Sequence, residues 1–504
     1  MSGTIADMLI DVSAAHGERE AIVDHDVRLS YADLLQHAAA AAGRLRDLGV
    51  EPGDRVAILL PNGWEYAVCY LGIQFVGAVG VLVNTRFTAS EIEHVLTDSG
   101  ATVVLAATAL DERVRPGPGA RPVTAAAIAA APREPVDPSA PATSNRSSGD
   151  VAQLLYTSGT TGRPKGAMQT HANLLFNAGT VRSCIGAAPG ERTLIVAPLF
   201  HATGAVSQLV GFLSAGACCV IVPAFRAEAA LRLIRDERIT VFAGVAAMLR
   251  LMLTVEGAEE ADLSTLRLFV MGGSPVPESF PAEITERLPE LVLANVWGLT
   301  EATSIVTYTE AEDYLARPWS VGRAVAGVEL AISVDGEPPR TRHGRAGELC
   351  VRGAVVTAGY WGDPEATGAT YVDGWLHTGD VGVIDQDGYV RVLDRLKDMI
   401  IRGGENIYCL EVENALAADP DVAEVAVVGI PDPIFDERVL AVVVPRPGTR
   451  PTAESIRARA ATVLADYKVP AEVRFVDELP RNASGKVVKR RLTGPVEEPG
   501  GVAR

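Results

Sequence analysis

The chain has little positive charge, few aromatic residues and few cysteines. Among its 504 residues, 45 Lys and Arg stand against 63 Asp and Glu, which gives a formal net charge of −18 at pH 7. Nucleic-acid-binding proteins need clustered Lys and Arg to neutralise phosphates, so we expect no nucleic acid as partner. An acidic chain can still bind ATP, because local hydrogen-bond donors decide that contact.

The chain also lacks the patterns of a secreted or membrane protein. Its N-terminus has no basic start followed by an apolar core, as a signal peptide would. The longest apolar run, Tyr70–Val83, contains Gln74 and several glycines and is too short to span a bilayer, so we expect a core segment and no membrane span. No CxxC pair or zinc spacing occurs among the cysteines, and most stand in apolar surroundings, which predicts buried, reduced thiols and a cytoplasmic protein. The six cysteines are Cys69, Cys184, Cys218, Cys219, Cys350 and Cys409.

Apolar residues make up 48% of the chain, and its length exceeds one compact core, so we expect at least two domains. Short apolar runs alternate with amphipathic stretches such as Ala227–Arg238. This alternation predicts an α/β fold with parallel or mixed sheets covered by helices. The predicted strands are Arg55–Leu60, Thr102–Leu105, Thr193–Ala197, Cys218–Val222, Val241–Gly244, Leu266–Met271 and Leu291–Val296.

The most informative segment is the run YTSGTTGRPKG at 156–166, which follows an apolar strand candidate. Its glycines allow close backbone approach, and its hydroxyls and lysine suit a polyphosphate. It is not a Walker A loop, because Pro164 replaces the second glycine and Gly166 follows the lysine. A surface turn is the plain alternative, but a turn needs fewer special residues. The candidate phosphate contacts are Thr157, Ser158, Gly159, Thr160, Thr161, Gly162 and Lys165.

Five further motifs occur in order along the chain: NVWGLTE at 295–301, HTGD at 377–380, DRLKD at 394–398, GGEN at 403–406 and RNASGK at 481–486. Together with the glycine-rich run they resemble the adenylate-forming superfamily, which includes acyl-CoA synthetases, peptide-synthetase adenylation domains and luciferases. The resemblance covers nearly the whole chain. One departure is Cys409, which stands where many relatives have proline.

The resemblance implies ATP and Mg²⁺ as cofactors and coenzyme A as co-substrate. It assigns Thr157 and Glu301 to Mg²⁺, which suits an ion that takes one or two protein oxygens besides phosphates. The implied catalytic residues are Lys486, Glu301, Lys165 and Thr300. Besides the phosphate contacts, the implied nucleotide-binding residues are Gly273, Ser274, Asn295, Trp297, Gly298, Thr300, Asp380, Arg395 and Lys486. The implied acid pocket contains Phe200, His201, Gly272, Gly273 and Trp297.

Each motif also has a plainer explanation. Thr300 and Glu301 could cap a helix N-terminus. Gly379-Asp380 fits a turn, Arg395 could be a solvated surface residue, and Lys486 could belong to a basic tail. A single histidine on an apolar stretch is more often a core residue than a catalyst, so His201 is expected to be a gate beside the carboxylate and not a base.

The resemblance also predicts the domain organisation. Residues 1–393 would form an AMP-binding domain with the ATP and acid sites, residues 394–398 a hinge centred on Lys397, and residues 399–493 a small mobile α+β domain. In a second state, Gly403 and Gly404 would face the active site and admit the thiol arm. Residues 494–504 are expected to be disordered, and Arg113–Asp150 is expected to be a surface excursion of the large domain.

The predicted activity is ATP-dependent formation of acyl-AMP, followed by acyl transfer to coenzyme A. His201 stands where peptide-synthetase domains carry an aspartate, and no carrier-protein domain follows, so a non-amino-acid carboxylic acid is expected. The pocket segments lack an Arg or Lys for a second carboxylate, which favours an aromatic or medium-length aliphatic monoacid. Loading of a carrier protein, a luciferase-like oxidase and a non-enzymatic scaffold are the alternatives. Whether the chain forms a homodimer stays open.

Overall fold

The structure is a computed structural model that describes residues 3–107, 113–114, 120–132, 146–158, 163–481 and 487–493. Of the sequence predictions, the glycine-rich residues 159–162, the segment 482–486 with Lys486 and the tail 494–504 lie outside the described residues. Among the described helices, none is both long and apolar enough to cross a membrane.

The first sheet has nine strands and a parallel centre flanked by antiparallel edges. Its six central strands are parallel, short and mostly buried, as expected for strands covered on both faces. From edge to edge the strands are β15 (Arg323–Ala324), β14 (Thr307–Tyr308), β13 (Val292–Trp297), β12 (Leu268–Met271), β11 (Val241–Gly244), β9 (Arg192–Ile195), β10 (Cys218–Ile221), β1 (Glu20–Asp24) and β2 (Val27–Ser30).

The second sheet has six strands, parallel except for a terminal hairpin that flanks the glycine-rich run. In order they are β6 (Arg121–Thr124), β5 (Val103–Ala106), β3 (Arg55–Leu59), β4 (Val79–Leu82), β7 (Val151–Ser158) and β8 (Pro164–Thr170). The third sheet is antiparallel and consists of β16 (Val328–Ser333), β17 (Gly347–Gly353), β19 (Trp375–Ile384), β18 (Tyr371–Val372) and β20 (Val390–Arg395).

One helix packs against both of the first two sheets. The helix Trp64–Val76 is buried from Tyr66 to its C-terminus and shares one core with residues of both sheets, including Ile22 and Ile58. Several helices begin with a capping box, for example Thr170 with Asn173, in which the side chain of each residue bonds the backbone of the other. The described α-helices of the large domain are α1 (Ile5–His16), α2 (Tyr31–Asp47), α3 (Trp64–Val76), α4 (Ala89–Ser99), α5 (Ala125–Ala129), α6 (His171–Thr180), α7 (Gly211–Leu213), α8 (Ala227–Asp236), α9 (Ala246–Leu253), α10 (Phe280–Arg287), α11 (Ala311–Ala316) and α12 (Pro364–Thr370). The π-helical segments Val181–Ile185 and Thr203–Val210 follow α6 and precede α7.

The C-terminal domain has its own sheet and its own core. Ile400, Val412 and Val427 belong to a cluster that contains only residues after position 399. Its helices are α13 (Cys409–Ala417) and α14 (Ala453–Ala460), and its strands are β21 (Ile400–Arg402), β22 (Glu405–Ile407), β23 (Val422–Asp432), β24 (Asp436–Pro445) and β25 (Glu472–Phe475).

The predicted α/β class, with a large N-terminal and a small C-terminal domain, is confirmed. The seven predicted strands all occur, with ends shifted by at most two residues, and the helix predicted at Ala227–Arg238 is α8. All six cysteines are free, and five of them are buried. The segment predicted as a surface excursion, Arg113–Asp150, contributes β6 to the second sheet and α5 to the helical layer, so it is more regular than expected.

Candidate active site

The β7–β8 hairpin sets the position of the glycine-rich run. Thr157 pairs directly with Lys165 across the hairpin, so both residues project to the same face next to its tip. The ammonium of Lys165 lies 3.6 Å from the Asp363 carboxylate and 5.6 Å from the centre of the Tyr360 ring. Of the predicted phosphate contacts, Gly159, Thr160, Thr161, Gly162 and the side chain of Ser158 lie outside the described residues.

The two predicted magnesium ligands are brought together from different sheets. The Thr157 hydroxyl at the end of β7 donates to Oε1 of Glu301, which follows β13, over 3.4 Å. Neighbouring ligands of an octahedral Mg²⁺ with bonds of 2.0–2.1 Å are separated by about 3 Å. This hydroxyl and carboxylate therefore fit two adjacent positions around Mg²⁺, with phosphate oxygens and water left to fill the others.

Tyr360 completes this cluster, and the sequence motifs did not identify it. Its hydroxyl donates to the same Oε1 of Glu301 over 2.9 Å. Burial, together with the Glu301 charge, raises the pKa of Tyr360 far above its usual value, so the phenol remains a donor. Tyr360 reaches Glu301 because residues 358–361 bond to β8, with the Ala358 amide donating to the Met168 carbonyl. No local spacing predicts this long-range pairing.

The backbone around Glu301 is held by its neighbours and not by a helix cap. Residues Thr300–Ala302 form a single 3₁₀ turn, and Leu299 occupies its N-cap position without a side-chain bond, so the capping explanation for Thr300 is wrong. The Gln169 side-chain amide donates to the Thr300 carbonyl over 3.0 Å. The Thr357 amide donates to the Glu301 carbonyl over 3.0 Å. These two bonds hold the backbone from which the Glu301 side chain projects.

A second polar cluster surrounds Asp380, whose carboxylate is buried in β19. The indole N–H of Trp297 donates to Oδ2 over 2.8 Å, and Nε of Arg395 lies 2.6 Å from Oδ1. Asp380 and Arg395 are direct partners in the β19–β20 ladder, which explains the ion pair. Asp380 is therefore a strand residue and not a turn residue, and Arg395 is not simply a solvated surface residue.

The predicted acid-pocket residues follow the ends of strands in the first sheet. His201 lies beside Phe200, with 4.8 Å between the ring centres, and its buried Nε2 has no hydrogen-bond partner among the described residues. Burial lowers the pKa of His201 to about 4, so its imidazole is neutral near pH 7. Gly272 stands where a Cβ atom would lie 2.6 Å from the Val296 side chain. Gly273 has a φ of 77°, and the half-buried Ser274 follows it.

Two further predicted residues, Asn295 and Gly298, support the backbone near the site. The Asn295 side chain donates to the Ser320 carbonyl over 3.3 Å, so its amide nitrogen stabilises the loop that leads to β15. A Cβ atom on Gly298 would lie 1.5 Å from the Ser304 carbonyl oxygen, which explains why this turn needs glycine.

The predicted hinge and thiol-arm loop adjoin the C-terminal domain. Lys397 is exposed in the turn between β20 and β21, while Gly403 and Gly404 form the β21–β22 turn with φ values of 59° and 86°. Cys409, the departure from the family pattern, donates its amide N–H to the buried Asp394 carboxylate, and its thiol lies 3.0 Å from the Asp398 carbonyl.

The sequence matches known proteins along almost its full length. A family model described as AMP-binding enzyme matches residues 10–361, and a model of the AMP-binding enzyme C-terminal domain matches residues 411–486. The chain belongs to the AMP-binding enzyme family. This confirms the resemblance to the adenylate-forming superfamily that the motifs indicated.

Individual relatives agree with this assignment. A feruloyl-CoA synthase from Amycolatopsis sp is 41% identical over 92% of each chain. A fatty acid–[acyl-carrier-protein] ligase, ScoC, from Streptomyces coeruleorubidus is 36% identical over 96% of this chain and 95% of its own. The solved structure of O-succinylbenzoate coenzyme A synthetase from Bacillus subtilis, in complex with ATP and magnesium ion, is similar, with a TM-score of 0.86 and 29% identity over 98% of this chain and 100% of its own.

The predicted enzyme class is likewise confirmed. This AMP-binding enzyme is an AMP-forming ligase of the acyl-CoA synthetase type, which activates a carboxylic acid as its adenylate and then transfers the acyl group to coenzyme A. Among the predicted site residues that the structure describes, Thr157 comes together with Lys165 and Glu301, Trp297 with Asp380 and Arg395, and Phe200 with His201.

Proposed function

We propose that the two polar clusters bind the two ends of Mg·ATP. Thr157 and Glu301 would hold Mg²⁺ against the phosphates, and Asp380 with Arg395 would bind the ribose. The observation that carries this proposal is the 3.4 Å approach of Thr157 and Glu301 from separate sheets. Bound there, the ion would neutralise phosphate charge. Lys165, 3.6 Å from Asp363, would exchange this exposed ion pair for a phosphate oxygen.

The chemistry then needs positioning and charge stabilisation, and no nucleophilic side chain. A carboxylate oxygen of the acid attacks the α-phosphorus, and the bond to the β-phosphate oxygen breaks, so pyrophosphate leaves. Lys486 would stabilise the charge that gathers at this centre. In the second step the thiolate of coenzyme A attacks the acyl carbon, and AMP leaves with the bonding electron pair.

The acid pocket favours a monocarboxylic acid without an α-amino group. Burial depresses the pKa of His201, so its imidazole is neutral near pH 7, and it lacks the negative charge with which a carboxylate would pair with an ammonium. Its unpartnered Nε2 can instead bond one polar atom of the acid. The small and apolar residues of this pocket, such as Gly272 and Phe200, suit an aromatic acid. The relative named feruloyl-CoA synthase supports this choice, while the one named fatty acid–[acyl-carrier-protein] ligase keeps a carrier-protein acceptor as the second candidate.

The small domain would serve the two half-reactions in turn. We place the domain boundaries at 1–393 and 399–493, with the change of backbone direction at Lys397. Lys397 is exposed and lies in a turn, where a rotation disrupts no strand pairing. Gly403 and Gly404, both exposed and at positive φ, offer a narrow backbone surface past which a thiol arm can slide.

A pyrophosphate-release screen tests the proposed function. Hydroxycinnamates, benzoates, aliphatic acids, dicarboxylic acids and amino acids would each be offered with Mg·ATP, first with coenzyme A and then with a phosphopantetheinylated carrier protein. We expect turnover with aromatic monoacids and coenzyme A. Glu301→Gln, which keeps the side-chain shape, should lower the rate by orders of magnitude without loss of fold. A preferred amino acid, or near-normal turnover by Glu301→Gln, would contradict the proposal.

A further inference from the structure

A separate cluster of metal-ligating side chains lies on the third sheet. Cys350 on β17 pairs directly with His377 on β19. Glu348 stands two residues before Cys350, beside an irregularity in the β17–β19 pairing, and its carboxylate reaches the His377 ring. Imidazole, thiol and carboxylate thus meet at one point, and one ligand atom from each of the three residues lies within 4.8 Å of the others.

The distances between the ligand atoms come close to those around a small tetrahedral ion. His377 Nδ1 lies 3.6 Å from the Cys350 sulfur and 2.7 Å from Glu348 Oε2. With Zn–N and Zn–S bonds of 2.0–2.1 and 2.3 Å, two tetrahedral ligands are about 3.6 Å apart, and a nitrogen and oxygen pair is about 3.3 Å apart. The nitrogen and sulfur already stand at that separation. The carboxylate would retreat by about half an ångström, which a flexible glutamate allows.

The donor set selects the kind of ion. Thiolate and imidazole suit Zn²⁺, whereas Mg²⁺ takes oxygen ligands alone. The Cys350 side chain is buried, while those of His377 and Glu348 are about one-fifth exposed, at 20% and 19%. An ion can therefore enter from the side of the carboxylate and imidazole and keep water as its fourth ligand. The thiol proton would be released to solvent on binding.

We propose that Glu348, Cys350 and His377 form a Zn²⁺ site distinct from the magnesium site at Thr157 and Glu301. Occupation of this site would act on the nucleotide cluster. Oε1 of Glu348 accepts the amide N–H of Gly379 over 2.9 Å, and Gly379 directly precedes Asp380. When the ion draws Glu348 toward itself, this bond weakens and Asp380 loses its fixed position. Zn²⁺ is therefore an inhibitor of adenylate formation; this consequence, unlike the binding itself, rests on the proposed role of Asp380.

Cobalt absorption tests binding without any assay of activity. The full-length protein, freed of metal with a chelator, would be titrated with Co²⁺, whose bond to a thiolate gives a charge-transfer band in the near ultraviolet. We expect the band to saturate at about one equivalent and to disappear on addition of Zn²⁺. Cys350→Ala should lose the band. Cys184→Ala, which removes a half-buried thiol elsewhere, should keep it.

The outcomes separate this site from adventitious binding. A band that persists in Cys350→Ala, or a protein that gives none, would overturn the proposal. Cys350→Ser nearly preserves the side-chain volume and guards against loss of the band through misfolding. A Cys350→Ser protein that unfolds at the wild-type temperature and keeps the band would also overturn the proposal. In activity assays, Zn²⁺ should inhibit the wild type at least tenfold more strongly than Cys350→Ala. Without Zn²⁺, the two proteins should release pyrophosphate at equal rates. Failure of all adenylation would refute the proposed function and leave the cobalt result standing.

Discussion

Tyr360 and Thr157 donate to the same carboxylate oxygen of Glu301. The phenol bond is 2.9 Å long and the threonine bond 3.4 Å long. Because the raised pKa of Tyr360 keeps its phenol protonated, Tyr360 is a neutral donor that orients the Glu301 carboxylate before any ligand binds. Thr157 forms the weaker of the two bonds, so it is the partner that can turn toward an ion.

Tyr360→Phe should therefore weaken the response to magnesium. A hydrogen bond to a charged group contributes about 1.5–3 kcal/mol, so we expect a roughly 10- to 100-fold rise in the Mg²⁺ concentration for half-maximal pyrophosphate release. Tyr371→Phe is the matched control, since the Tyr371 hydroxyl bonds Thr357 and not Glu301. An unchanged Mg²⁺ requirement in Tyr360→Phe, with normal turnover, would show that Glu301 is oriented by its backbone alone.

Trp297→Phe should weaken ATP binding. The substitution removes the indole N–H that bonds Asp380, and among the described side chains Arg395 then remains as the partner of this buried carboxylate. We expect the ATP concentration for half-maximal rate to rise about tenfold or more, for the same reason of a lost bond to a charged group. Trp375→Phe, which changes the ring under Arg352 on the same sheet, serves as control. Equal ATP requirements in the two variants would contradict the role of Trp297.

Sequence patterns predicted the seven strands and the motif residues because each of these patterns lies within a short stretch of the chain. The Val241–Gly244 strand was predicted without error, since a short apolar run between polar segments has few alternatives. The edge strand Arg121–Thr124 was missed because half-exposed edge strands lack such a run. Tyr360 was missed for another reason: only the bonding of residues 358–361 to β8 brings it to Glu301, and this pairing leaves no periodic signal.

Gly298→Ala should disrupt the turn that leads to Glu301. Its Cβ atom would lie 1.5 Å from the Ser304 carbonyl oxygen, and backbone atoms cannot move aside cheaply. We expect a loss of about 3 kcal/mol or more in the free energy of unfolding, measured by urea titration. Gly336→Ala is the control, since its φ of 76° brings strain without a steric clash and should cost only about 1 kcal/mol. Similar losses in both variants would contradict the close approach at Gly298.

Lys486→Ala and Lys397→Pro should separate the two half-reactions. Lys486→Ala should abolish pyrophosphate release but still convert supplied acyl-AMP into thioester. Lys397→Pro should do the reverse, because proline fixes φ near −65° and blocks rotation in the turn. Each variant would be measured in both half-reactions, with circular dichroism to monitor folding. Equal loss of both half-reactions in each folded variant would rule out domain alternation about Lys397.

His171 should make the protein less stable in acid. Burial lowers the pKa of His171 to about 4, and its Nδ1 accepts the Ile5 amide N–H, which requires the neutral ring. An unfolded histidine titrates near 6.5, so between pH 6.5 and 4 the unfolded chain binds a proton that the folded chain does not. The stabilisation is complete above pH 6.5 and decreases as the pH falls, by up to about 3 kcal/mol at pH 4.

His171→Asn tests this contribution, because its amide oxygen can accept the Ile5 N–H without titrating. Urea unfolding at pH 7.0, 5.5 and 4.5 should show a shallower pH dependence for the variant, smaller by nearly one proton. His25→Asn, at an exposed site, should follow the wild type. Parallel curves for His171→Asn and the wild type would exclude a neutral buried ring.

Cys409 has a consequence for the timing of turnover. Its amide joins the first helix of the small domain to Asp394, on the large-domain side of Lys397. Under the proposed rotation this charge-assisted bond must break in every catalytic cycle, at a cost of about 1.5–3 kcal/mol. That cost biases the resting enzyme roughly 10- to 100-fold toward the arrangement seen here. The small domain would therefore remain in this arrangement longer than it would without the bond. A proline at position 409, which has no amide N–H, could not form this bond.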